Sequence, residues 1–469
     1  MTIEETLVAH LTATQFSNLP GEAIERARLS ILDTLGVTLA GTGRSEVRPV
    51  LDLVRHFGGR EESTVIGYRT KVPAPQAALV NGTLARAWDF DDIFKISPAA
   101  GHASVNVVPA ALAVAERDAS TTGPDLLTAV ALGQDLFCRL SLATKTEANQ
   151  TGRYCMFAIF APAAVAGRLL RLDGARMTHA LGIAYAQAAG EMQKYQTSAL
   201  TIAVQNGLIP MAGILSALLA ECGITGAQEM FTGRHGFFRV FEPEHDLTLL
   251  TQDLGRRYAG TELSTKAYPC CSCSHTSIEA ALHLAQTHDL QPDDIASIRI
   301  GINRAAYDST CAPEAMKWNP TLTSHRQFSL PYAVAAALVE RQIAIETFLP
   351  RPARDAQIWK LLDRTRAEVD PEIQRDFGHL PEGPGRVTIR TRVGVEYTAL
   401  VEYERGHSRN PMTWAEVVRK FEQCATTAGV PRNGAVAEIV RTVEHLEEAA
   451  ALGVLWKALS DLFSTPGTS

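Results

Sequence analysis

Apolar residues recurring at helical spacing through most of the first half of the chain are the feature that most limits its fold. From Pro20 onward, Ile24, Ala27, Ile31, Leu35 and Leu39 keep one apolar stripe, and Gly41 follows as a stop. Residues 76–88 repeat the signature behind the breaker run Val72-Pro73-Ala74-Pro75, and Pro109 is placed to open a helix over residues 110–116. Residues 126–136, 159–170, 177–189 and 208–222 continue the series. These segments are rich in Ala, which lets helices approach closely in a buried bundle.

After about Gly260 the period changes. Ile298, Ile300 and Ile302 alternate with Arg299 and Gly301 as in a strand. Residues 387–393 and 395–403 flank Gly394 and read as a β-hairpin enriched in Val, Ile, Thr and Tyr. A helical pattern lies between them at residues 332–341, and the tail returns to helix at 415–424 and 436–462. The expected fold class is mainly α with an inserted α+β domain. A large helical-bundle domain is built from both chain ends, residues 1–260 and 405–469, and a smaller α+β lid spans residues 261–404.

Composition narrows the partners. With 46% hydrophobic and 20% charged residues, a chain of 469 residues can bury a sizeable core. The 44 Lys and Arg against 51 Asp and Glu give a net charge of −7, which argues against nucleic acid or an anionic membrane as the main partner. No segment reads as transmembrane, because the longest nearly apolar stretch, residues 208–220, is interrupted by Pro210 and falls short of about 18 residues. The N-terminus opens with two Glu and shows neither a basic n-region nor an apolar h-region, and the eight Cys read as reduced intracellular thiols. A cytoplasmic location is expected.

Three stretches carry candidate chemistry. In the first, Trp88-Asp89-Phe90-Asp91-Asp92 is followed by a Gly- and Pro-containing loop and then His102-Ala103-Ser104. Carboxylates at a helix C-terminus work against the helix dipole, so such a run is better explained by a site than by local stability. The loop can return His102 toward Asp89, where a carboxylate would fix the imidazole tautomer and favour its charged form. The alternative is a solvated acidic loop end with an unrelated surface histidine.

The second stretch is Lys266-Ala267-Tyr268-Pro269-Cys270-Cys271-Ser272-Cys273-Ser274-His275. Its adjacent cysteines lack the two-residue separation of a chelate and no second pair follows, so a metal or iron–sulfur site is not expected. His275 sits at the mouth of a helix over residues 276–287, where the dipole disfavours imidazolium and leaves a proton acceptor. A histidine that only caps or packs there is the alternative. The third stretch, around Lys194 in Gly190-Glu191-Met192-Gln193-Lys194-Tyr195-Gln196, could bind a carboxylate or be a solvated loop. No Walker loop, Gly-x-Ser-x-Gly elbow or Gly-x-Gly-x-x-Gly after a strand is present, so no nucleotide cofactor is expected.

Stretches running nearly end to end resemble the 2-methylcitrate dehydratase family, often called MmgE/PrpD, which also contains cis-aconitate decarboxylases and an iminodisuccinate epimerase. They are Asp33-Thr34-Leu35-Gly36-Val37, Asn81-Gly82 through Asp92, His102-x-Ser104 with Pro109-Ala110-Ala111, and residues 207–226. Residues 266–275, Phe328-Ser329-Leu330-Pro331-Tyr332, Gly406-His407-Ser408-Arg409-Asn410-Pro411-Met412 and Lys420-Phe421 complete them. The resemblance implies a helical domain with a smaller α+β lid, an active site between them, a homodimer, and no metal or organic cofactor. It also implies that Asp89, His102, Lys266 and His275 line the site.

Departures from the family pattern bear on the substrate. Ile93 stands where Thr is frequent, Ala103 where Pro is, the apolar Ile202 where a lysine is usual, and Tyr154 where a histidine is. The nearest upstream lysine is Lys194, and Trp88, Phe94, Met156 and Phe157 are bulky neighbours. The expectation is a substrate with fewer carboxylates than 2-methylcitrate or a bulkier apolar part.

The expected function is that of a cofactor-independent lyase of a small carboxylic acid, with dehydration of a 2-methylcitrate-like hydroxy acid first. Epimerisation or decarboxylation of a related acid follows, and a non-catalytic binding protein on the same fold is a further alternative. The expected catalytic residues are His102, His275 and Asp89, and Lys266, Asp92, Lys194, Tyr154 and Arg153 are expected to bind substrate.

Overall fold

The computed structural model describes residues 1–146, 151–197, 199–432 and 434–464, and it is mainly helical. Its contacts divide the chain into two units. Met1–Ala87, Asp91–Leu263 and Thr413–Ser469 form unit 1, and Trp88–Phe90 with Ser264–Met412 form unit 2. The second differs from the span expected from sequence by the addition of the three-residue segment 88–90 and by extending to Met412.

Unit 1 begins with α1 (Ile3–Ala13), α2 (Gly21–Ala40), α3 (Val47–Phe57), α4 (Ala74–Arg86) and α5 (Ser104–Arg117). It continues with α6 (Gly123–Ala143), α7 (Phe160–Leu169), α8 (Gly174–Tyr185), the short α9 (Gln193–Gln196) and α10 (Thr201–Glu221). A two-stranded antiparallel ribbon, β1 (Ser63–Val65) and β2 (Thr70–Val72), precedes α4. Helices α4 and α10 cross at a pair of glycines. A Cβ on Gly82 would lie 2.2 Å from the Asn206 carbonyl oxygen, and one on Gly207 would lie 2.0 Å from that of Leu79. The two backbones therefore touch, and only residues without a side chain fit.

Unit 2 holds a four-stranded sheet in the order β4-β3-β5-β6, with β3 (Ile295–Ile302), β4 (Thr365–Val369), β5 (Gly385–Thr391) and β6 (Glu396–Val401). β3 pairs parallel with β4 and antiparallel with β5, and β5 pairs antiparallel with β6 across the turn containing Gly394. Ile298, Ile300 and Ile302 of β3 pack with Val387 and Ile389 against α11 (His275–Thr287) and α12 (Leu330–Glu340). The chain then returns to unit 1 as α13 (Trp414–Thr427), α14 (Ala435–Glu444) and α15 (Gly453–Asp461). Lys420 on α13 pairs with Asp33 on α2 at 2.6 Å, so both chain ends share one helical core.

Several boundaries differ from the sequence reading. Pro109 lies inside α5, which begins at Ser104, instead of opening a helix. Proline removes one backbone donor there, and burial of nearly the whole segment from Ser104 to Ala115 outweighs that loss. α10 starts at Thr201, ahead of the apolar run; the sequence reading placed its start later because Thr201, Gln205 and Asn206 interrupt the apolar period. The single helix expected over residues 436–462 is two, because the backbone between them is turned to accept the Gly123 N–H on the Ala449 carbonyl at 2.8 Å, at the start of α6. Two helices, α6 and α10, are long and apolar enough to cross a membrane by length and composition, where the sequence reading had none; 94% and 50% of their apolar windows are buried within the protein.

Gly207→Ala should lower unfolding free energy by about 1–3 kcal/mol, because the added methyl must push α4 and α10 apart. Chemical denaturation checks this, and an unchanged midpoint would contradict the close crossing.

Candidate active site

The acidic run after α4 is not a solvated loop end: Asp89, Asp91 and Asp92 are 5%, 1% and 1% exposed. Phe94 and Gly101 exchange two backbone hydrogen bonds of 2.8 and 2.9 Å, closing the loop so that His102 returns to the run. Its Nδ1 lies 3.0 Å from the Asp92 carbonyl oxygen and in ion-pair contact with Asp91 Oδ2 at 2.7 Å. Both neighbours only accept, so Nδ1 carries the hydrogen and Nε2 is left to exchange a proton. The carboxylate partner of His102 is thus Asp91, two residues beyond the expected Asp89. An acidic residue of a turn faces whichever neighbour the turn's dihedrals select, and residue spacing does not reveal that.

Asp91 also meets Arg86 Nη1, from the last turn of α4, at 3.3 Å. Asn106 donates to the His102 carbonyl at 2.6 Å, and Asn206 on α10 donates to Asn106 Oδ1 at 3.3 Å. The histidine backbone is therefore braced by the helix that crosses α4. Asp92, expected to contact substrate, has both carboxylate oxygens engaged within the protein. Its Oδ1 accepts the Ser104 N–H at 3.0 Å and its Oδ2 accepts the Ser104 hydroxyl, so both oxygens hold the start of α5. Burial raises its carboxyl above the usual range, with Arg26 opposing.

Lys194 is 2% exposed, so it is not a solvated loop lysine. The Met192 N–H donates to the Gly152 carbonyl at 2.9 Å and the Tyr154 N–H to that of Gly190 at 3.3 Å, zipping the two segments together. Arg153 and Glu191 form a backbone bridge in the same place. This sets the Lys194 ammonium 5.2 Å from the ring centroids of both Tyr154 and Tyr195. Nζ donates to the Glu191 carbonyl at 2.6 Å and to Gln205 Oε1 on α10. Both acceptors are neutral. Burial pushes the amine down to about 8; Glu191 and Cys155 oppose this and Arg86 reinforces it. Burial holds the Tyr154 phenol well above its usual value, so it stays protonated. Arg153 is half-buried, and its field opposes the burial that pushes the Glu242 carboxyl up to about 7.

In unit 2, Gln327 Nε2 donates to the carbonyls of Trp88 at 2.6 Å and Pro269 at 2.9 Å, while its own carbonyl accepts the Cys271 N–H at 2.9 Å. This fastens the 88–90 segment to the stretch carrying Lys266 and His275. Asp89 takes a left-handed conformation, φ +51°. Lys266 Nζ lies 3.0 Å from Asp89 Oδ1 and donates to the Asp89 carbonyl at 2.9 Å, with both side chains buried. His275 is the first residue of α11 and 1% exposed. Its Nε2 is 3.3 Å from the Cys270 carbonyl, which can only accept, so Nε2 carries the hydrogen and Nδ1 the lone pair. The Tyr268 ring meets it edge-on at 5.1 Å between centroids.

Asp91, Arg86, Asn106, Gln205 and Gln327 were not singled out from sequence. Asp91 stands within the acidic run and Gln327 directly before the Phe328 motif, whereas the others carry no local signal. Among the described residues no three His, Cys, Asp or Glu are grouped to hold a metal ion.

Family models match almost the whole chain: the MmgE/PrpD N-terminal domain over residues 5–250 and the C-terminal domain over residues 268–446. The chain is 26% identical to a cis-aconitate decarboxylase of Aspergillus terreus, over 96% of this chain and 94% of the relative. It is 25% identical to the cis-aconitate decarboxylase of Homo sapiens, over 98% and 95%. It is also 25% identical to the cis-aconitate decarboxylase-like protein oryM of Aspergillus oryzae, over 95% and 94%.

Removing one partner of a buried ion pair strands the other charge, at roughly 3–5 kcal/mol. Lys266→Met should show a loss of that order in urea unfolding, and adding Asp89→Asn should recover part of it. Equal stability of Lys266→Met and the parent protein would contradict the pairing.

Proposed function

Because this chain belongs to the MmgE/PrpD family, we propose that it is a lyase of a small unsaturated or hydroxylated carboxylic acid, with His102 and His275 as its proton-transfer groups. Decarboxylation of an acid like cis-aconitate now stands ahead of dehydration, since full-length relatives carry that name. The observation that carries the reading is the Asp91–His102 contact of 2.7 Å. A buried carboxylate on Nδ1 fixes the ring's orientation and tautomer, so Nε2 is the nitrogen that exchanges a proton with a substrate carbon.

In decarboxylation the bond to one carboxylate breaks and carbon dioxide leaves. The electron pair passes into the adjoining unsaturated carboxylate, and His102 Nε2–H returns a proton to carbon. Lys266, fixed on Asp89, lends positive charge to the enolate-like intermediate, a task worth several kcal/mol when the donor is preorganised. One observation favours dehydration as the second reading. His102 and His275 each have one ring nitrogen held against a backbone carbonyl oxygen, so proton exchange falls to the other nitrogen of each, and the two rings can divide removal of an α-proton and protonation of a departing hydroxyl between them.

Lys194 is assigned to a substrate carboxylate. Its ammonium donates to neutral oxygens and faces two tyrosine rings, and a substrate carboxylate would add to the favourable charge that Glu191 supplies. The groups facing it are Glu191, Cys155, Arg86, Tyr154 and Tyr195. The charged amine is present below about pH 8 and lost above it.

His102→Gln should lower kcat by about 10²–10⁴-fold with the fold intact. Release of carbon dioxide from cis-aconitate in heavy water, with deuterium at a product carbon, is the decisive assay. Wild-type rates in the variant would contradict the mechanism, and binding without label exchange would point to a non-catalytic protein. KM should rise about tenfold per pH unit above pH 8 and flatten in Lys194→Met; a KM indifferent to both would remove Lys194 from the site.

A further inference from the structure

The run Pro269-Cys270-Cys271-Ser272-Cys273-Ser274 contains three thiols that the proton chemistry above does not use. They differ sharply in setting. Cys270 is fully buried, and burial pushes its thiol well above the usual value. Burial does the same to Cys138 and takes Cys155 and Cys311 up to about 12. Cys271 and Cys273 are only half-buried, and they flank Ser272, the first residue of a 3₁₀ turn over Ser272–Ser274. The neighbouring Cys273 thiol pulls Cys271 below its usual value against the effect of burial. Cys273 Sγ also lies 3.9 Å from the Pro381 carbonyl.

The group is coupled to the charge of a buried lysine. Lys317 is 7% exposed and donates to the carbonyls of Ser309 at 3.0 Å and Phe328 at 2.7 Å. Both acceptors are neutral, and the groups coupled to its charge are Cys271, Cys311 and Cys273. Asp89 and Glu382 oppose the lowering of Cys271, and Lys266 supports it more weakly. A buried ammonium against neutral carbonyls and thiols favours a sulfur anion there, and the thiolate is the nucleophile in disulfide exchange. Cys271 is the residue just before the 3₁₀ turn that carries Cys273, with φ −55° and ψ 126°, and residues two apart in a bent chain fall within the roughly 4.4–6.8 Å between Cα atoms that a disulfide needs.

We propose that Cys271 and Cys273 are a redox couple, a modification site that closes to an intrachain disulfide on exchange with a low-molecular-weight disulfide. The Cys271 thiolate attacks one sulfur of the oxidant, forming a mixed disulfide and expelling one thiolate, which takes up a proton. Cys273 then loses its proton and attacks the Cys271 sulfur, expelling the second thiolate. Two protein thiols are oxidised, and one small disulfide is reduced to two thiols. The site is independent of the proposed lyase chemistry, although it lies just ahead of His275 on the same segment.

The test uses the full chain and oxidised glutathione, followed by alkylation and peptide mapping by mass spectrometry. The wild-type peptide should become two hydrogen atoms lighter through a Cys271–Cys273 link, reversibly with dithiothreitol. In Cys273→Ser, glutathione should remain attached to Cys271. Before oxidation, Cys271 should alkylate at least about tenfold faster than Cys270 in the folded protein, and equally fast in urea. Independent alkylation of both thiols after oxidation, or glutathione accumulating on wild-type Cys271 without the link, would overturn the inference.

Discussion

The contact of α4 with α10 at Gly82 and Gly207 governs how unit 1 presents its polar groups. At 2.0–2.2 Å from a hypothetical Cβ to the opposite carbonyl, the two helices have no freedom to slide. α4 then delivers Arg86 to Asp91, and α10 delivers Asn206 to Asn106 and Gln205 to Lys194. His102 is held from two directions, by the acidic turn after α4 and by Asn106 of α5, the helix that follows it. A rotation of either helix would change all of these contacts together. This is how a scaffold of mostly Ala-sized packing residues can keep a proton donor in one geometry.

Buried charge follows a consistent rule with an informative exception. Asp33 is met by Lys420, Asp89 by Lys266 and Asp91 by Arg86. Each pair offsets a desolvation cost that neither partner could sustain alone. Lys194 and Lys317 instead donate to neutral oxygens. An ammonium in that setting is chemically available, in the first case to an anionic ligand and in the second to neighbouring thiols.

The helical half, the strand alternation at Ile298, Ile300 and Ile302, and the hairpin at Gly394 were legible because periodicity reports burial directly. β4 was passed over: Thr365, Ala367 and Val369 do alternate with Arg366 and Glu368, but the run is five residues long and holds only two apolar side chains. The acidic run and the two histidines stood out in the sequence, and the structure buries them. Which carboxylate serves which cation was not legible there, since Asp89 and Asp91 differ in the dihedrals of a turn rather than in residue type. Asp92 reads as a ligand-binding carboxylate in sequence, yet it caps Ser104, a role visible only once the loop from Phe94 to Gly101 is closed.

The central claim is that Asp91 and the Asp92 carbonyl fix the His102 proton on Nδ1 and leave Nε2 to work. Nitrogen-15 NMR of the imidazole, with His102 identified among the 13 histidines by its loss in His102→Gln, measures this directly. Below and above its titration, Nδ1 should remain protonated, and only Nε2 should gain or lose a proton. A neutral His102 carrying its hydrogen on Nε2 would contradict the account.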